Sequence, residues 1–193
     1  MTTIAHAEEA LETVNALLDE ERSLAEYDRS LSEYWLRQTV QWSSETGGTA
    51  LIVVKRGHRA YLLKHGRVAG AFAVDLGYNS SFRKLHSGDA ATPEGLYRIS
   101  KKRETGSSFY KSLELNYPND EDRRRFNLAR QNGRIPFGVS IGDGIAVHGD
   151  GGVGWDWTDG CVALTNDDMD RLMKSLNVGD RVAIVRYVDG LLQ

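Results

Sequence analysis

Residues 51–74 read LIVVKRGHRAYLLKHGRVAGAFAV. Three short apolar runs, Leu51-Ile52-Val53-Val54, Ala60-Tyr61-Leu62-Leu63 and Val68-Ala69-Gly70-Ala71-Phe72-Ala73-Val74, are cut by Arg56-Gly57-His58 and Lys64-His65-Gly66-Arg67. The runs are too short for helices, and the breaks between them carry the glycines that tight turns use. This spacing predicts a β-meander and, with the strands downstream, a mainly β (α+β) fold. His58 and His65 fall in the breaks and read as turn residues rather than ligands.

Upstream the pattern changes. Ile4, Leu11, Leu18 and Ala25 recur every seven positions, and Val14, Leu17, Leu24 and Leu31 share the neighbouring stripe, so residues 4–38 read as one long or two shorter amphipathic helices. Glu20, Glu21, Arg22 and Asp28 interrupt the stripe, which favours packing on the main domain or on a partner over a sustained coiled coil. Trp35 and Trp42 are the expected anchors, and Ser43-Ser44-Glu45-Thr46-Gly47-Gly48 the expected linker. The expected division is a helical extension over 1–46 and a main domain over 47–193.

Downstream, Thr92-Pro93-Glu94-Gly95 reads as a surface turn leading into a strand through Leu96-Tyr97-Arg98-Ile99. The tract Leu113-Glu114-Leu115-Asn116-Tyr117-Pro118-Asn119-Asp120 yields to a charged, helix-prone segment around 119–131, ended by Asn132-Gly133. Gly144-Ile145-Ala146-Val147-His148 reads as a strand with His148 at its end. Met169, Leu172, Met173 and Leu176 recur at helical spacing behind a Thr165/Asp168 capping pattern, with Gly179 beyond the end. Arg181-Val182-Ala183-Ile184-Val185 is the expected closing strand.

Composition excludes several classes. With 193 residues, 40% hydrophobic and 26% charged, the chain can bury a sizeable core. A net charge of −3 gives no electrostatic reason to expect a nucleic-acid partner, and Arg123-Arg124-Arg125 reads as a solvated helix face. The single cysteine excludes an intrachain disulfide and a zinc site of several thiolates. No run approaches the length of a membrane span. The start lacks the basic and apolar regions of a secretory signal, leaving a cytoplasmic protein or a mature form whose leader has gone.

The one cysteine, Cys161, lies in Thr158-Asp159-Gly160-Cys161-Val162-Ala163-Leu164, thirteen residues after His148 in Val147-His148-Gly149-Asp150. A free thiol is only a few per cent thiolate at neutral pH, so an imidazole beside it is the simplest activator of a cysteine nucleophile. Gly160 frees the backbone before the thiol, where main-chain N–H groups of Gly160 and Cys161 could face a developing oxyanion.

Taken together, Thr92-Pro93-Glu94-Gly95, Asn116-Tyr117-Pro118-Asn119, His148-Gly149 and Thr158-Asp159-Gly160-Cys161-Val162-Ala163-Leu164 resemble the YkuD-type L,D-transpeptidases, here the branch related to YafK and ErfK. The resemblance runs from about Leu51 to Val185. It implies a β-sandwich or small bent sheet with few helices, and an enzyme of peptidoglycan metabolism and cell shape. In that family a cysteine attacks the carbonyl after the third residue of a stem peptide, commonly diaminopimelate, and releases D-alanine. An amine then resolves the thioester, from a second stem or, in some members, from the C-terminal lysine of an outer-membrane lipoprotein; water in its place gives a carboxypeptidase or amidase. A wall-binding module without turnover is a further class on the same scaffold.

Carried onto this chain, the resemblance makes Cys161 the nucleophile and His148 the base, oriented by the Gly149 carbonyl, with Gly160 and Cys161 amides as the oxyanion hole. No metal and no organic cofactor is asked for. The periplasm or cell envelope is the implied location. Many members follow the cysteine with an apolar residue and arginine, whereas this chain has Val162-Ala163, so Arg134 or Arg98 is the candidate replacement. Thr158 and Asp159 flank the substrate in this reading, with Asp159 raising the thiol pKa. Trp155 and Trp157 either wall a stem peptide or clamp their loop to the core.

Overall fold

The three apolar runs pair as the turns between them dictate. In the computed structural model, which describes residues 2–105 and 108–188, they form β1 (Thr49–Val54), β2 (Arg59–Lys64) and β3 (Arg67–Ala73). His58 and His65 sit in the connecting turns with positive φ, at 47° and 51°. Five more strands follow: β4 (Gly95–Arg103), β5 (Ser112–Leu115), β6 (Ala146–His148), β7 (Val162–Ala163) and β8 (Arg181–Val185). The described helices are α1 (Thr2–Thr46), α2 (Asp120–Gln131) and α3 (Asn166–Ser175). The strands run in the order β3-β2-β1-β8-β4-β5-β6-β7. β1 is parallel to β8 and β6 to β7, while the other neighbours are antiparallel.

β4 makes this sheet a half-barrel. Its first half, Gly95 to Arg98, pairs with β8, and from Ile99 onward it pairs with β5, with a register shift between Ile99 and Lys101. Such irregularities bend a strand. The two halves of the sheet therefore close on one core, where Leu51, Val53, Val182 and Ile184 meet Leu113, Val147 and Val162. Met169, Leu172 and Met173 of α3 fill the same core. Thr165 caps that helix by accepting from the Asp168 amide.

The alternate residues of the central strands face a second core. Ala50, Ile52 and Val54 of β1, with Ala183 and Val185 of β8, pack under Trp35 and Leu36 of α1. Strands covered on both faces read as unbroken apolar runs, which is why these two were visible. Trp35 and Trp42 serve as anchors, and the Arg181 guanidinium lies 4.9 Å from the Trp42 ring centroid.

α1 is one helix, and the expected linker is part of it as far as Thr46. Ser43 is buried, donating to the Gly48 carbonyl and accepting from the Gly66 amide, while a Cβ on Gly48 would lie 2.5 Å from the Trp42 ring. The segment is pinned to the β2–β3 turn, so it is not free to act as a linker. Of the N-terminal stripe, the side chains of Ile4, Leu11, Leu17 and Leu24 lie outside the described residues; Val14 and Leu18 are exposed.

The Thr92-Pro93-Glu94-Gly95 turn is buried rather than on the surface. Glu94, 0% exposed, pairs with Lys55 at 2.9 Å, Arg186 at 3.0 Å and Arg83 at 3.3 Å, and Arg83 also reaches Asp28 of α1. Burial pushes the Lys55 ammonium down to about 8 against the opposing pull of Glu94. Burial would raise the Glu94 carboxyl, but Lys55, Arg186 and Arg83 hold it below the usual carboxylate range. The ion cluster ties helix, sheet and turn together. The Arg123-Arg124-Arg125 run is also only partly solvated, because Arg125 pairs with buried Asp122 and donates to the Glu94 carbonyl.

Candidate active site

Strand alternation assigns the chemistry to one face. Leu113, Val147 and Val162 point into the core, so their neighbours in β5, β6 and β7 point to the other side. Register places Arg103, Ser112, His148 and Ala163 in one row across β4 to β7. Glu114 and Ala146 form the next row with Lys101, and Cys161, the residue before β7, falls beside Ala146. His148 and Cys161 thus lie on the same face of two adjacent parallel strands, one row apart.

His148 is 0% exposed. Its Nδ1 lies 2.6 Å from the Gly149 carbonyl oxygen, and since a carbonyl can only accept, Nδ1 carries the proton and Nε2 the lone pair. Nε2 is buried and has no hydrogen-bond partner among the described residues. Gly149 is required for this arrangement, because a Cβ there would lie 2.6 Å from the Tyr110 carbonyl oxygen. Phe109 stacks on the imidazole at 3.8 Å between centroids, and Trp157 meets both rings edge-on at 6.0 and 6.2 Å.

Burial lowers the His148 pKa, against the Gly149 carbonyl and Asp150. Burial also raises the Cys161 thiol, against the Ala146 amide, and Asp159 adds to the rise while Lys84 opposes it. The thiol sits 3.6 Å from the Gly144 carbonyl oxygen, an acceptor suited to an S–H. Both shifts favour a neutral thiol and a neutral imidazole over a thiolate–imidazolium pair.

The Cys161 turn is braced by Thr158. Its hydroxyl donates to the Cys161 carbonyl at 2.8 Å and accepts from the Gly160 amide at 3.1 Å. Thr158 is thus buried and braces the turn, and the Gly160 amide is engaged by its hydroxyl. Gly160 is needed for its backbone, at φ 132° with the Ala91 carbonyl oxygen 2.7 Å from where a Cβ would be. Asp159 is exposed.

Two carboxylates hold the glycine-rich loop between His148 and Cys161. Buried Asp75 accepts from the amides of Gly152, Val153 and Gly154 and from Trp157 Nε1. Asp156 accepts from the Leu76 amide and the Ser80 hydroxyl and pairs with His58. Trp157 is packed into the site by these contacts, whereas Trp155 is 66% exposed.

Neither replacement arginine reaches the cleft beside Cys161. Arg134 is exposed beyond α2, and Arg98 donates to the Gly179 carbonyl. The cleft is lined instead by Arg103, Ser112, Glu114, Ala146 and Phe109, together with Cys161. Arg103 and Phe109 went unread because nothing local marks them; only the pairing of β4 with β5, and the return of the chain over His148, bring them in. Among the described residues no helix is long and apolar enough to cross a membrane, and no His/Cys/Asp/Glu cluster could hold a metal ion.

Residues 48–184 match the model of the YkuD family, the L,D-transpeptidase catalytic domain. The fold is similar to the helical cell shape determining protein Pgp2 of Campylobacter jejuni, with a TM-score of 0.55 and 20% identity over 82% of this chain and 56% of that one. It is also similar to Bd1075 of Bdellovibrio bacteriovorus, with a TM-score of 0.52 and 20% identity over 76% and 52%. An L,D-transpeptidase of Xylanimonas cellulosilytica gives 0.50 and 19% over 72% and 60%. The chain thus spans only 52% to 60% of the length of these solved relatives. No curated protein matches its sequence.

Proposed function

Because the chain belongs to the YkuD L,D-transpeptidase catalytic domain family, we propose that it is a peptidoglycan L,D-transpeptidase of the cell envelope that works through a Cys161 thioester. The observation that carries this reading is the Nδ1–Gly149 bond, which leaves a buried, unpartnered Nε2 on the same sheet face as the only thiol.

In this mechanism Nε2 of His148 takes the thiol proton as Sγ attacks the carbonyl carbon of the stem's third residue. The Cys161 amide supports the oxyanion, a contact typically worth about 2.7–4 kcal/mol. The carbon–nitrogen bond to D-alanine breaks, and the imidazolium returns its proton to the leaving amine. An acceptor amine then attacks the thioester, gives its proton to Nε2, and forms an amide as the carbon–sulfur bond breaks and the thiol is restored. Gly149 and Gly160 shape the site, and Trp157 packs it. Trp155 is free to meet substrate.

The acceptor is a second stem or, within the branch resembling YafK and ErfK, the lysine of an outer-membrane lipoprotein. Muropeptides with tetrapeptide stems, incubated with the protein and with Cys161→Ala and read by mass spectrometry, test the reading. D-alanine loss, an acyl-enzyme and crosslinked dimers are expected from the wild type alone. Tripeptides without new bonds would assign a hydrolase, and binding without turnover a wall-binding module.

A further inference from the structure

Arg103 and Glu114 form an ion pair in the wall of the Cys161 cleft, with side chains 34% and 35% exposed. Both belong to the face that carries His148 and Cys161: Arg103 lies across from Ser112, which is itself across from His148, and Glu114 lies across from Ala146, the row of the thiol. The pair thus presents a guanidinium fork and a carboxylate side by side within the cleft. Glu114 comes from a strand in which Leu113 and Leu115 face the core, so alternation alone fixes its direction.

We propose that this pair is a recognition site for a zwitterionic amino-acid head, a group carrying a free ammonium and a free carboxylate on one carbon. The inference rests on the transpeptidase reading, in which the head is the far end of a diaminopimelate side chain in the stem whose carbonyl Cys161 attacks. A ligand with one charge would take one partner and strand the other in a partly desolvated cleft. A zwitterion exchanges both contacts at once, carboxylate to Arg103 and ammonium to Glu114, so the pair selects for both charges together. Arg103 also supplies, from β4, the cationic fork that Ala163 cannot provide at the cysteine loop.

The test is binding to Cys161→Ala protein by calorimetry, which is independent of turnover, with three tetrapeptide stems: free diaminopimelate, diaminopimelate with its side-chain carboxylate amidated, and lysine at the third position. The free stem should bind about tenfold or more tighter than the other two. Arg103→Met in the same background should erase the preference over the amidated stem. Glu114→Gln should weaken all three stems alike, since each keeps a side-chain ammonium. Circular dichroism confirms that each variant is folded. Equal affinity for all three stems, an undiminished preference for the free stem in Arg103→Met, no loss in Glu114→Gln, or no binding at all would overturn the proposal. Thioester formation by the Cys161 protein, read separately by mass spectrometry, tests the transpeptidase reading by itself. Selective binding without a thioester would sink that reading and leave the recognition site standing.

Discussion

The centre of the sheet and its β5–β6–β7 end solve opposite problems. β1 and β8 are covered on both faces, by the α3 core below and by α1 above, and their side chains are apolar almost throughout. β6 and β7 are three and two residues long, bury only one face in the core, and spend the other on His148, Ala146 and the approach to Cys161. The central region gains stability from apolar burial and from one ion cluster around Glu94. The end region buries an imidazole and half-buries a thiol, polar groups that add little to stability and that the proposed reaction would use. A change in one region should therefore leave the other's property intact.

The largest separation is expected at the proposed catalytic pair. Cys161→Ala should remove all thioester formation while its urea unfolding midpoint stays near wild type, and His148→Ala should lower kcat/KM by about 10²–10⁴. A large loss of stability in Cys161→Ala would break the division between the regions.

Glu94→Gln should do the reverse. It leaves Lys55, Arg83 and Arg186 without their shared carboxylate, and breaking such a buried arrangement costs about 3–5 kcal/mol. Urea denaturation at pH 7 measures it. Because the folded Glu94 pKa lies below its ordinary value of 4.5, its contribution is full above that value and is lost as pH falls through the lower folded one. The stability gap between wild type and Glu94→Gln should therefore narrow in acid.

Asp75→Ala tests the boundary between the regions, since Asp75 holds the loop that packs Trp157 against His148. A cost of about 1–3 kcal/mol is expected from the stranded amides, with faster proteolysis in the 151–157 loop and a fall in kcat larger than any change in KM. Unchanged kcat would confine Asp75 to stability.

The smallest effects should be electrostatic. The acid limb of kcat/KM should lie below the ordinary imidazole value of 6.5, since burial keeps His148 neutral into mild acid. Iodoacetamide, which consumes thiolate, should react with Cys161 slowly at pH 7, because the thiol titrates above its ordinary value. Asp159→Asn should speed that alkylation only roughly two- to threefold, as befits an exposed charge.

The same contrast decides how much the sequence could reveal. The meander, the closing strand and α3 were legible because burial on a whole face imposes a local period. His148 and Cys161 stood out as candidates because the cysteine is unique in the chain and each has a glycine beside it. Arg103, Glu114, Phe109 and Asp75 were not singled out, since each reaches the site through register or a loop return across many residues. The bond between the Thr158 hydroxyl and the Gly160 amide was hidden for a related reason: it depends on a φ of 132° at Gly160 that composition does not disclose. Glu94 looked like a surface turn residue because its three cationic partners come from distant segments.

The parallel pairing of β1 with β8 also sets an order of events during synthesis. Ala50 lies across from Arg181, and β4 needs β8 as its other neighbour. Until β8 leaves the ribosome, the centre of the sheet is a gap with two unpaired apolar edges. Contacts that distant in sequence slow folding and leave edges open to other chains. A nascent chain would thus hold these two edges unpaired until β8 has been made.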